Sequence, residues 1–304
     1  MVTEANALEG SARTAVGAPL RIIPRLDIKG PNLVKGVHLE GLRVLGKPHE
    51  FARYYYESGA DELIYIDVVA SLYGRNSLLH TVEQTAREIF IPLTVGGGLR
   101  TLDDIRTVLR AGADKVALNT AAIQSPSFVR DAARKFGSST VVVSIEGVRQ
   151  SDGSYEAYVD NGREPTGVNV LEWAVRAAEL GAGELLVTSI DREGTGEGFD
   201  LSLTRQVAES VPIQVIACGG AGRIEHVHDV IVDGRADAVA LASMLHYDYA
   251  LTRPVDHDFS GEGNIEYLRS GRGFGRVHGA TLGEIKTWLH ERDIVCRHED
   301  PIRA

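Results

Sequence analysis

Two stretches of this chain, about 120 positions apart, carry the same four landmarks in the same order, and a period of that kind marks a duplicated architectural unit. In the first half the landmarks are Asp27 at the end of an apolar run, GADELIYIDVVAS (59–71), TVGGGLR (94–100) and GADKVALNTA (112–121). In the second they are Glu146 after VVVSI, GAGELLVTSIDREG (181–194), ACGGAGR (217–223) and RADAVALASM (235–244). Each unit holds four short apolar runs separated by stretches of helical spacing, so two units make eight strands and eight helices.

The segments 20–27, 62–67, 92–95, 115–118, 140–145, 184–189, 213–217 and 237–241 are short and rich in β-branched residues. They suit strands buried on both faces of a parallel sheet. Between them, PHEFARYYYESG, TLDDIRTVLRAG, SPSFVRDAARKFG, NVLEWAVRAAELG and LSLTRQVAES read as helices. Ser125 with Pro126 suits an N-cap and first-turn position, and Gly59, Gly112, Gly137 and Gly181 suit C-caps. Strand alternating with helix eight times predicts an α/β protein, a (β/α)8 TIM barrel built from two half-barrel repeats. One domain is expected over 19–297, with a first half at about 19–138, a second at about 139–249, a glycine-rich loop over 250–279 and a closing helix over 281–292. Thr281 and Glu284 stand at capping-box spacing at the start of that helix. Residues 1–18 read as a mobile tail and 298–304 as a second tail.

A formal charge of -10, with both signs interspersed, speaks against nucleic acid or an anionic membrane as the main partner. Bound phosphates would therefore need local binding loops. The two cysteines, Cys218 and Cys296, fit a reducing cytoplasm and offer no disulfide framework. No apolar run approaches the roughly 18 to 20 residues that span a bilayer.

In such a barrel the C-terminal ends of the strands face the active site, so Asp27 and Glu146, ending strands 1 and 5, approach each other across the mouth. Two opposed carboxyls can divide acid and base work when their environments separate their pKa values; acidic residues also commonly cap strands. TVGGGLR and ACGGAGR place consecutive glycines directly after a strand, where exposed N–H groups can cradle a phosphate, although glycine also simply permits tight turns. Asn119 and Thr120 follow strand 4, and Ala242 and Ser243 follow strand 8, beside those loops. Two matched sites suggest a ligand with a phosphate at each end. At the other end of the strands Arg21, Glu62, Lys115 and Glu184 form a set of alternating charge, readable as solvated strand ends or as a paired plug. No metal constellation and no dinucleotide, P-loop or nucleophile-elbow motif occurs, and no cofactor is implied.

As a set, RIIPRLDIKGPNLVKG, GADELIYIDVVAS, TVGGG, GADKVALNTAA and LLVTSIDREGTGEGFD resemble the cyclase subunit family of imidazole glycerol phosphate synthase, over roughly 20–249 and more weakly 280–297. The resemblance implies a lyase of histidine biosynthesis that takes ammonia from a glutaminase subunit docked at the N-terminal face of the barrel. It would convert phosphoribulosyl-formimino-aminoimidazole carboxamide ribotide to imidazole glycerol phosphate and aminoimidazole carboxamide ribotide. It implies a catalytic role for Asp27 and a substrate contact for Lys35, on the loop after strand 1. It further implies one phosphate site at Gly98, Asn119 and Thr120 and another at Gly194, Gly220, Ala242 and Ser243. Arg21, Glu62, Lys115 and Glu184 match the family's ammonia gate, and Asp114 an acidic interface position. Three positions depart: the family's second catalytic aspartate is Glu146 here, the aspartate after strand 6 is Glu193, and a serine of the strand 7 motif is Cys218. Those departures leave open a paralogue that delivers ammonia to another acceptor, such as a surface-polysaccharide sugar. They also leave open a non-catalytic platform that activates a glutaminase. A related isomerase of histidine biosynthesis shares the repeat but needs no gate.

Overall fold

The computed structural model describes residues 19–70, 78–253 and 275–297. The expected tails 1–18 and 298–304, and most of the expected loop 250–279, lie outside the described residues. The strands in chain order are β1 (Arg21–Lys29), β2 (Asn32–Val37), β3 (Glu40–Gly46), β4 (Leu63–Asp67), β5 (Leu93–Gly96), β6 (Lys115–Leu118), β7 (Val141–Arg149), β8 (Tyr155–Val159), β9 (Glu164–Asn169), β10 (Glu184–Ser189), β11 (Gln214–Cys218) and β12 (Ala238–Leu241). The described helices are α1 (Pro48–Glu57), α2 (Leu79–Ala86), α3 (Leu102–Arg110), α4 (Thr120–Gln124), α5 (Ser127–Phe136), α6 (Val170–Glu179), α7 (Leu201–Ser210), α8 (Ile224–Val232), α9 (Ser243–Thr252) and α10 (Leu282–His290).

Eight parallel strands run round the ring in the order β1, β4, β5, β6, β7, β10, β11, β12, and β12 returns to β1 with Ile23 beside Ala240. The β7–β10 pairing, Glu146 beside Thr188, closes it. This is the expected (β/α)8 barrel. Side chains alternate along each strand. On β1, Ile22, Leu26 and Ile28 pack outward against the helices, while Ile23 joins Ile64, Val142, Leu186, Ile216 and Ala238 inside the barrel. Each such fully buried aliphatic side chain stabilises the fold by about 1.5–3 kcal/mol relative to exposure.

Four further strands were not expected. β2 and β3 form a hairpin after β1, and β8 and β9 a hairpin after β7, so the duplication includes them. Both arise because a barrel strand runs on past the ring: Asp27 to Lys29 pair with Val34 to Asn32, and Glu146 to Arg149 pair with Tyr158 to Tyr155. The dipeptides Asp152-Gly153 and Asn161-Gly162 are hairpin signals that mark the second excursion. Asp160, Asn161 and Gly162 all take positive φ there.

The helix ends need two corrections. Ser125 is the C-cap of the short helix α4 and so cannot open α5; Pro126 is the N-cap instead. Helix α9 runs on to Thr252, so residues 250–252 are helical rather than loop. Gly59, Gly112, Gly137 and Gly181 all take positive φ at helix ends, and Thr281 with Glu284 makes the expected capping box. Strand starts have their own repeated device: Asp61 accepts from the Ile22 N–H at 2.8 Å, Asp114 from Leu93 at 2.9 Å and Asp237 from Val215 at 2.8 Å. Asp114, expected at a partner interface, thus also ties β5 to β6.

Candidate active site

Asp27 and Glu146 do not end β1 and β7, which run on into the hairpins, but they hold matching inward positions where those strands leave the ring, so both face the mouth, 2% and 5% exposed. The hairpin after β1 then folds Lys35 back over Asp27. Lys35 lies on strand β2, not on a loop, and its ammonium ion pairs with Glu193 and stands 3.5 Å from Asp27 Oδ2. Arg25, two residues before Asp27 and on the same inward face, donates from Nε to Asp27 Oδ1 at 2.9 Å. Asp27 is therefore bracketed by two cations. Burial alone would raise its pKa, but Arg25 and Lys35 outweigh burial and hold it below the ordinary carboxylate range. Burial would likewise lower Lys35, yet Glu193 and Asp27 drive it up, so it stays charged.

Glu146 has no such bracket. Burial pushes its carboxyl up to about 7, the Asp27 charge adds to the rise, and Arg25, the Gly162 N–H and the Asn119 side chain only partly oppose it. Its Oε2 is buried without a hydrogen-bond partner, as are Asn119 Oδ1 and Ser189 Oγ. Buried polar atoms normally find partners, and Glu146 and Asn119 line one cavity, so their two open valences mark where a polar ligand fits; Ser189, one residue past the inward Thr188, faces away from it. One carboxylate held ionised and one carboxyl titrating near neutrality is the division that acid–base work requires.

The glycine loops flank this pair symmetrically. Register puts Gly96 beside Ala117 and Cys218 beside Ala240, so the loop bearing Gly98 leaves the ring next to the strand that leads to Asn119, and the loop bearing Gly220 next to the strand that leads to Ala242. Asn119 and Ala242 share one uncommon backbone shape, φ -124 ψ -90 and φ -125 ψ -80, before helices α4 and α9. The glycines are obligatory. A Cβ on Gly98 (φ +69) would lie 2.7 Å from Ala70 Cβ, and one on Gly220 (φ +109) 2.2 Å from the Gly198 carbonyl oxygen. One cavity is lined by Gly98, Asn119, Thr120 and Glu146, with Arg100 and Asn161. A second is lined by Lys35, Gly194, Arg43 and Tyr247. Ser243, one turn before Tyr247, is buried. Cys218 is a buried thiol whose Sγ accepts from Arg25 Nη1 at 3.3 Å.

At the opposite end Arg21, Glu62, Lys115 and Glu184 close into a ring. Arg21 Nη1 reaches Glu62 at 2.6 Å and Glu184 at 2.9 Å, while Lys115 Nζ reaches Glu62 at 3.0 Å and Glu184 at 3.1 Å. Gln214 joins by accepting from Arg21 Nη2 at 2.7 Å. The paired-plug reading of these charges is the geometry observed.

Arg25, Arg43, Arg100, Asn161 and Tyr247 went unnoticed in the sequence. For Arg25 a signal existed: strands alternate faces, so an inward Asp27 requires an inward Arg25. Asn161 sits in the unexpected hairpin. Among the described residues no group of three His, Cys, Asp or Glu side chains could hold a metal ion.

Known proteins agree with this architecture. The family model described as Histidine biosynthesis protein matches residues 21–250. A relative from Legionella pneumophila, named Imidazole glycerol phosphate synthase subunit HisF, is 60% identical over 206 residues, 68% of this chain and 97% of its own length. A protein of the same name from Alkaliphilus metalliredigens (strain QYMF) is 48% identical over 228 residues, 75% of this chain and 90% of its own length. A half-barrel repeat, paired glycine loops, opposed carboxyls and these matches converge: the chain belongs to the histidine biosynthesis protein family, with the HisF subunits of imidazole glycerol phosphate synthase as its relatives.

Proposed function

We propose that this chain is the ammonia-dependent cyclase of imidazole glycerol phosphate synthesis, with Asp27 and Glu146 sharing the proton transfers. The observation that carries the reading is the asymmetric carboxyl pair, Asp27 bracketed by Arg25 and Lys35 and Glu146 raised to about 7, set between two matched glycine-loop pairs. A ligand with a phosphate at each end would span Gly98, Asn119 and Thr120 on one side and Gly194, Gly220, Ala242 and Ser243 on the other. That places its middle over the carboxyls.

Ammonia adds to the ribulosyl carbonyl, whose oxygen leaves as water, giving an imine. Ring closure onto the formimino carbon then expels the carboxamide ribotide, whose nitrogen leaves as the free amine by gaining two protons, while the new ring gives up two, one from nitrogen and one from the methylene carbon beside the former carbonyl. Asp27, ionised, accepts a proton; Glu146, half protonated near neutrality, supplies one and takes it back. Lys35 holds the substrate and, with Glu193, keeps its own charge. Neither the polysaccharide-directed reading nor the platform reading has an observation in its favour.

The reading includes a glutaminase subunit, since relatives are named as subunits of a synthase. We place its docking face at the bottom of the barrel, around the ring and Asp114. Neutral ammonia can pass an apolar barrel interior that ions cannot enter without a large desolvation cost. The cytoplasm is the expected compartment. Among the described residues no helix is long and apolar enough to cross a membrane.

The test incubates the purified chain with the phosphoribulosyl-formimino ribotide and an ammonium salt, without glutaminase, and follows both products. Turnover that Asp27→Asn removes is expected. Turnover surviving that substitution at the original rate overturns the assignment of Asp27, and an inactive natural chain overturns the cyclase reading.

A further inference from the structure

Between the bottom ring and the carboxyls, a guanidinium crosses the barrel. Arg25 is 2% exposed and donates to three groups: Asp27 Oδ1 from Nε at 2.9 Å, and from Nη1 to Thr188 Oγ1 at 3.2 Å and Cys218 Sγ at 3.3 Å. Thr188 is on β10, three strands from β1 round a ring of eight, so the side chain spans the interior rather than lining it. Just below lies an apolar layer containing Ile23, Ile64, Val142 and Leu186. A methionine would fill that space without the desolvation penalty of a buried charge. Packing therefore does not account for the charge, whereas the contact with Asp27 does.

We propose that Arg25 is a positioning residue for the proton transfers, clamping the Asp27 carboxylate from beneath through a fork anchored on Thr188 and Cys218. The proposal rests on the cyclase reading for its activity readout alone. Asp27 is faced by Arg25 from its own strand, Lys35 from β2, Glu146 from β7 and His246 from α9, while Glu193, from the loop after β10, and Cys218, from β11, meet it through Lys35 and Arg25. Lys35 divides its charge between Asp27 and Glu193. His246 is held neutral: burial drives its pKa down to about 3, and its ring is engaged by Tyr55 Oη at 2.7 Å and the Arg25 carbonyl oxygen at 2.8 Å. Arg25 is thus the one cation on Asp27 among these groups that no other carboxylate shares by direct contact. Without it, burial acts on Asp27 opposed only by half a lysine, and the two mouth carboxyls lose their division of labour.

The experiment compares the natural chain with Arg25→Met and Arg25→Lys, measuring ammonium-driven turnover against pH and, separately, the titration of Asp27 by carbon NMR on aspartate labelled at the carboxyl, with Asp27→Asn identifying its signal. In Arg25→Met, kcat is expected to fall about 100-fold with the ribotide KM little changed, as for a misplaced catalytic group. The acidic limb of the profile moves to higher pH, and so does the Asp27 titration. Arg25→Lys, which restores charge without the planar fork, recovers the position of the limb and part of the rate. An acidic limb and an Asp27 titration unmoved in Arg25→Met overturn the proposal, as does a rate loss that Arg25→Lys fails to rescue at unchanged thermal stability. If Arg25→Met does not fold, Arg25→Lys decides alone: a kcat equal to that of the natural chain overturns the clamp, and about a tenfold loss with an unmoved limb supports it. A natural chain that turns over no ribotide ends the cyclase reading but leaves the NMR titration to judge Arg25.

Discussion

At the bottom of the barrel two cations and two anions make a closed ring, with both carboxylates bridged by both Arg21 and Lys115. At the mouth Arg25, Lys35, Asp27 and Glu193 make a second balanced quartet, but a fifth group, Glu146, enters with no cation of its own. The difference separates structural from chemical use of buried charge. The odd carboxyl, with no cation of its own, is pushed by burial to about 7 and becomes available for proton transfer beside the ionised Asp27.

The largest break in that contrast is Asp27→Asn, which removes the ionised member of the mouth quartet; ammonium-driven turnover should fall about 10³-fold, within the range general acid–base catalysis supplies. Glu146→Gln should cost turnover on a similar scale and also reveal the burial penalty. A carboxyl whose folded pKa lies near 7, above the ordinary 4.5, binds more protons folded than unfolded between those values, so it erodes stability as pH rises through that window. Urea melts should therefore find Glu146→Gln stabilised by about 3 kcal/mol at pH 8 and little changed at pH 4. Equal effects at both pH values would show that Glu146 is not the titrating group.

Glu62→Gln sharpens the comparison from below. It leaves Arg21 and Lys115 sharing Glu184, with ring side chains only 8–18% exposed, and should destabilise by about 2 kcal/mol while ammonium-driven turnover stays near normal. The smallest effect belongs to Asp114→Ala, which frees the Leu93 N–H and should cost about 1 kcal/mol, seen as a lowered melting temperature.

Much of the fold was legible because its information is local and doubled. Apolar runs such as VVVSI and KVAL declare buried strands on their own, and their recurrence in the second half declares the closed barrel. The hairpins after β1 and β7 were less legible, since KGPNLVKG and the stretch from Asp152 to Asn169 lack the long apolar runs of barrel strands; only their turn dipeptides betray them. Of the site, Asp27 and Glu146 stand out by matching positions in the repeat, and the ring residues by their place at strand starts. Alternation from Asp27 puts Arg25 on the inward face, but which groups its guanidinium meets there, Thr188 and Cys218, depends on strands far away in the chain.

The residue pattern by itself determined the eight-fold alternation, the strands that bear the carboxyls and the loops that bear the glycines, because periodicity and backbone freedom are properties of neighbouring residues. Only the tertiary structure decided which charges meet. Lys35 reaches Glu193 and Arg25 reaches Thr188 across more than 150 positions of chain. Whether a carboxyl is held ionised or left to titrate depends on such contacts and on exclusion from water, which exist only once the barrel has closed.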